Sequence, residues 1–98
     1  MDFRVRALLS IQRAIWELVT PNLRGIAIAC SYPAISARFL FENRPTEEDC
    51  ENVSLAETYS IADFGDEVVI EFAPVWLPCS MSRALEPGEE WVYLRKEP

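Results

Sequence analysis

Histidine is missing from all 98 residues, and with it go the commonest general base, the commonest metal ligand and every Ser-His or Cys-His nucleophile pair. Cysteine is scarce as well. Cys30, Cys50 and Cys79 are odd in number, widely spaced and form no C-x-x-C pair, so neither a disulfide framework nor a zinc knuckle is indicated and buried free thiols are expected. Gly25, Gly65 and Gly88 stand alone, which leaves no glycine-rich phosphate loop, and the chain has no internal repeat or low-complexity tract. Arg13, Arg24, Arg38 and Glu71 interrupt the apolar runs before any reaches the roughly 20 residues of a membrane-spanning helix. Arg6, Arg13 and Glu17, spread through the first apolar stretch, argue against a signal peptide. From these absences we expect a single cytoplasmic domain over residues 1–98, with no cofactor, no metal, no membrane association and no enzymatic activity.

What the chain does have is negative charge, and it is concentrated. Sixteen acids face nine bases, for a net charge of −7. Between Glu42 and Glu71 ten carboxylates meet one base, Arg44, a local charge of −9, whereas residues 1–41 carry +3 and residues 72–98 carry −1. Charge of one sign gathered in one region sets up a field that steers an oppositely charged partner. The same field repels phosphate backbones, so direct nucleic-acid binding is not expected. Half the residues are apolar, enough for one folded core rather than a disordered chain.

Along the chain, Leu8, Ile11, Ile15 and Leu18 recur at spacings of three and four between Phe3 and Val19, the pattern of an amphipathic helix that Thr20-Pro21 stops. Leu9 and Trp16 lie at the margin of its apolar stripe, placed either to shield the core edge or to meet a partner. Leu23 to Cys30 and Ala34 to Glu42 read as an antiparallel hairpin around Ser31-Tyr32-Pro33. Ile35, Ala37, Phe39 and Phe41 share the core face of its second strand, and Ile26, Ile28 and Cys30 that of the first. Thr46 and Asp49 open a second helix in the manner of a capping box, predicted to run to about Phe64. Its projection puts Cys50, Val53, Ile61 and Phe64 inward with Glu57 in their midst, so Glu57 calls for a rotated helix, an arginine such as Arg38, or a cleft. Glu67 to Val75 and Glu90 to Glu97 alternate as two further strands, the last with Trp91 and Tyr93 together on one side. Pro74 to Gly88 is a long connection carrying Trp76, Leu77 and Met81, either a contact surface or a loop folded over the core edge.

The order helix, hairpin, helix, strand, strand predicts an α+β fold: a two-layer α/β sandwich with two helices on one face of a four-stranded, mainly antiparallel sheet. Glu48, Glu51, Leu55 and Tyr59 fall on the outer side of the second helix, where leucine and tyrosine bordered by carboxylates suit a basic protein surface. Asp63, Glu67, Glu71, Trp76 and Leu77 complete the candidate contacts. The plainer alternative is a solvated helix face whose first-turn acids favour the helix dipole. A carboxylate metal site from Asp49, Glu57 and Asp63 is disfavoured, because their positions on the helix diverge.

In Arg13-Ala14 with Val19-Thr20-Pro21-Asn22-Leu23-Arg24, in Glu47-Glu48-Asp49 leading to Ile61-Ala62-Asp63-Phe64, and in the terminal Val92-Tyr93-Leu94-Arg95-Lys96-Glu97, the chain resembles small bacterial immunity proteins of toxin-immunity systems, among them those of contact-dependent growth inhibition. These signals span nearly the whole chain and are mostly helix stops, caps and a last strand. The resemblance implies an antitoxin that neutralises a cognate toxin domain, commonly a nuclease, by covering its active site. A homodimeric regulatory or scaffold module working through the open sheet face, with Trp91 and Tyr93, is the alternative.

Overall fold

The computed structural model describes residues 2–97. Its first helix, α1 (Phe3–Ala14), starts where the Asp2 carboxylate accepts the Val5 N–H at 2.8 Å, satisfying one of the four amides every helix start leaves open. It ends five residues before the Val19 expected from periodicity, and Ile15 to Leu18 form a turn instead. The reason is tertiary. Thr20 and Asn22 must reach Asp49 on the second helix, at 3.3 and 3.0 Å, and a helix continued to Val19 would carry them away.

The strands β1 (Leu23–Ser31) and β2 (Ala34–Phe41) form the expected hairpin. Helix α2 (Glu47–Ile61) follows, then β3 (Val69–Trp76) and β4 (Glu89–Leu94). The sheet order is β3-β2-β1-β4, with β1 antiparallel to both neighbours and β2 parallel to β3. The sheet is therefore mixed, and α2 is the crossover that a parallel neighbour requires. Both helices pack on one face, over Ile26, Ile28, Ile35, Ala37, Phe39, Phe41, Ile70 and Phe72. This is the expected α+β architecture.

Pro74 belongs to β3 rather than to the following loop. The Val69 and Leu77 amides donate inward to Pro33 and Phe41 at 2.8 Å, so the N–H groups of even-numbered residues point off the sheet edge. Proline at position 74 removes an amide that no neighbour needs, which is where an edge strand tolerates it.

Trp91 and Tyr93 do not share a face. A register shift opposite Ile26 and Ala27 pairs Tyr93 with Ile26, on the helix side, and Trp91 with Ala27, on the reverse side. The extra residue of a bulge turns one side chain over. Nor is the reverse face open around them: Ala27 and Leu40 there are fully buried beneath the segment 77–88. That segment is held by arginines. Arg24 donates to the carbonyls of Leu77, Pro78 and Met81 at 2.8 to 3.0 Å, and Arg38 to that of Ala84 at 3.1 Å. Gly25 is the close approach beneath it, where a Cβ would lie 3.1 Å from the Trp91 ring.

Candidate functional site

Helix α2 is fixed at its start by a reciprocal pair: the Thr46 hydroxyl accepts the Asp49 N–H and an Asp49 carboxylate oxygen accepts the Thr46 N–H, both at 3.0 Å. Asp49 also takes hydrogen bonds from Thr20 and Asn22 and is only 3% exposed. Burial alone would raise its pKa, but the bonds from Thr46, Asn22 and Thr20 outweigh that and hold the carboxyl below its ordinary value.

The buried line of α2 is Asp49, Val53, Ala56 and Ser60. The helix is thus rotated from the projected orientation, and Cys50 and Ile61, expected inside, are exposed. Rotation also resolves Glu57. Its carboxylate accepts the outward Phe72 N–H at 2.8 Å, capping the free edge of β3, while Arg38 pairs instead with Glu89 at 2.6 Å.

That rotation leaves Glu48, Glu51, Leu55 and Tyr59 on an outer line of α2, recurring at three- and four-residue spacing. Glu48 and Glu51 are exposed, with Leu55 at 41% and Tyr59 at 50%. Leu55 and Glu51 also border a shallow hollow of about 450 Å³ with Glu47, Cys50, Ser54 and Thr58.

The remaining predicted contacts disperse. Asp63 turns back to α1, where its carboxylate accepts from the Ser10 hydroxyl at 2.7 Å and pairs with Arg13 at 2.7 Å. The Ser10 bond and the Arg13 guanidinium hold its pKa low against the effect of burial. Glu67 precedes β3 beyond the far end of α2, roughly 20 Å along the helix axis from Glu48 at about 1.5 Å per residue. Glu71 lies on the reverse face of the sheet, opposite Ser36. Trp76 closes β3 near the start of α2, donating its indole N–H to the Glu42 carbonyl at 3.2 Å, with the Arg44 guanidinium 4.7 Å from its ring centroid. Leu77 is half-buried under its bonds to Phe41 and Arg24. The structure therefore assembles Glu48, Glu51, Leu55 and Tyr59 into one surface and scatters the other five.

The protein's own bases do not neutralise that surface. Arg4, Arg13, Arg24, Arg38, Arg83 and Arg95 pair with Glu90, Asp63, Glu97, Glu86, Glu89 and Glu42. Among the described residues Glu47, Glu48, Glu51, Asp66, Glu67 and Glu71 enter no ion pair. Asp49, Glu57 and Asp63, weighed together as metal ligands, are committed to three separate sets of partners. Among the described residues no helix is long and apolar enough to cross a membrane.

A second exposed apolar group lies at the other helix. Leu9 on α1 and Trp16 in the turn that follows it, seven residues apart, face solvent rather than shielding the core. Their shared heptad spacing was the available signal.

Compared with known protein families, residues 4–97 match the model described as MafI2 immunity protein. Comparison with curated proteins gives no match.

Proposed function

The chain belongs to the MafI2 immunity protein family, and from that premise we propose that it neutralises its toxin by laying the outer line of α2 across a basic active-site cleft, in the cytoplasm of the cell it protects. Immunity against a toxin, and a cognate toxin as partner, come with the family. The mode of binding is our reading. The observation that carries it is the juxtaposition of Glu48 and Glu51, which form no ion pair among the described residues, with exposed Leu55 and Tyr59 on one helix face. A nuclease must present cationic side chains to hold phosphates, and a row of fixed carboxylates occupies those cations in the substrate's place. Leucine and tyrosine beside the row supply the apolar and aromatic anchor that charge alone lacks. The protein is then an inhibitor rather than a catalyst. Cys30, Cys50 and Cys79, all unpaired thiols, suit a reducing compartment.

The test uses the cognate toxin domain. Glu48→Gln with Glu51→Gln is expected to slow association about tenfold at low salt and to flatten its dependence on ionic strength, with dissociation changed less. Association kinetics that keep the wild-type salt slope would overturn the electrostatic mechanism.

A further inference from the structure

The turn that ends α1 combines two features that a purely structural element would avoid. Trp16 is 72% exposed, the most exposed of the large apolar residues described. Glu17 has φ of 67°, in the left-handed region where a side chain is strained and glycine is favoured. The Leu18 N–H closes the turn on the Ile15 carbonyl at 2.9 Å, which makes Glu17 its third residue, the position where a positive φ ordinarily selects glycine or asparagine. A charged side chain is kept where its absence would relax the backbone, next to an indole held in solvent. The fold uses the left-handed residue to end α1, but glycine would serve there without strain, so it is the glutamate side chain that the backbone does not require, and strain kept for a side chain is a mark of a working segment.

Position supports the same conclusion. The two helices run antiparallel, since Phe3 stacks edge-on against Phe64, Ser10 meets Asp63 and Thr20 meets Asp49. Trp16, between Ser10 and Thr20, is therefore abreast of the middle of α2, beside the stretch that carries Leu55. Arg13, the nearest base on α1, is already neutralised by Asp63 at 2.7 Å. The charge that the turn itself presents beside the indole is thus that of Glu17, complementary to a cationic protein.

We infer that the Trp16–Glu17 turn is the α1 half of the partner-binding surface, with Trp16 filling an apolar notch on the basic toxin domain and Glu17 pairing a cation at the rim of that notch. This rests on the reading of α2 as a face for a basic toxin, and extends it to a second helix.

Affinity for the cognate toxin domain, measured together with thermal unfolding, tests it. Trp16→Ala is expected to weaken binding about 30-fold and to leave Tm nearly unchanged. Glu17→Gly is expected to raise Tm by about 4 °C while weakening binding several-fold, an opposition that a structural turn cannot produce. If both variants bind as the wild type does while Glu48→Gln with Glu51→Gln binds weakly, the turn lies outside the interface and this inference falls with the α2 reading intact. If the turn variants bind weakly and the α2 pair binds normally, the inference stands and the α2 mechanism falls. A tight homodimer in sedimentation that Trp16→Ala dissociates would assign the indole to self-association and overturn the inference.

Discussion

Ser60 is 2% exposed on the sheet side of α2, and its hydroxyl meets no hydrogen-bond partner among the described residues. Eleven positions earlier on the same buried line, Asp49 is polar too, yet both of its carboxylate oxygens accept hydrogen bonds. The contrast separates a buried polar group that organises its surroundings from one that only loses its hydration. Removing the second kind is expected to help. Ser60→Ala discards the unsatisfied oxygen and improves helix propensity, for a gain of about 1 kcal/mol in unfolding free energy, read as a higher urea midpoint at unchanged slope. A lower midpoint would show that the hydroxyl holds a bound water that the fold requires.

At the level of elements, what could be read in the chain was whatever a short run of residues decides. The hairpin around Tyr32 and Pro33, the capping box at Thr46 and Asp49, and the core faces of β1 and β2 all depend on neighbours a few positions apart, and the structure keeps them. The facing of α2 does not depend on such neighbours. Its buried line mixes Val53 and Ala56 with Asp49 and Ser60, so apolar periodicity pointed to Cys50 and Ile61, while tertiary bonds set the true rotation. The same holds for the C-terminal end of α1, drawn away by Asp49, and for the segment 77–88, whose cover over the reverse face is written in arginine-to-carbonyl bonds rather than in any pattern. For this reason Glu48, Glu51, Leu55 and Tyr59 were legible as one surface, whereas Asp63, Glu67, Glu71, Trp76 and Leu77 could not be placed relative to it. Edge strand β3 shows what the rotation achieves. Glu57 caps the Phe72 amide at 2.8 Å and Pro74 has no amide to offer, so two successive outward positions are closed to strand pairing. Glu57→Ala is expected to cost about 1 to 2 kcal/mol and to speed hydrogen exchange at the Phe72 amide. Unaltered exchange at that amide would show that the carboxylate is not its protection.

Over the whole molecule the two signs of charge have separate tasks: six of the eight arginines are spent in internal ion pairs, and much of the acidic excess is left outside. The internal centre is Glu97, which meets Arg24 at 3.0 Å, Arg95 at 2.9 Å and Arg83 at 3.4 Å, tying the end of the chain to β1 and to the segment that covers the reverse face. Hydrogen bonds from Arg24, and then from Arg95, outweigh burial and pull its pKa down to about 2. A carboxylate whose folded pKa lies below its unfolded value contributes stability in full above the unfolded value, near 4.3 for glutamate, and loses it as pH falls through the folded one. Stability is therefore expected to fall as the pH drops from about 4.5 toward 2, in step with Asp49, Asp63, Glu89 and Glu90, whose pKa values are also depressed. Protonation of the unpaired surface acids relieves their mutual repulsion over the same range and opposes this loss, so the contribution of Glu97 has to be isolated by difference. Glu97→Gln is expected to be less stable than the wild type by about 2 kcal/mol at pH 7. Urea unfolding of the two proteins at stepped pH should show that gap narrowing as pH falls from about 4.5 toward 2, because the unfolded wild-type chain takes up a proton at this position while the folded carboxylate holds its charge down to about 2. A gap that persists unchanged to pH 2.5 would mean that the Arg24, Arg83 and Arg95 cluster is held by packing rather than by the charge of Glu97.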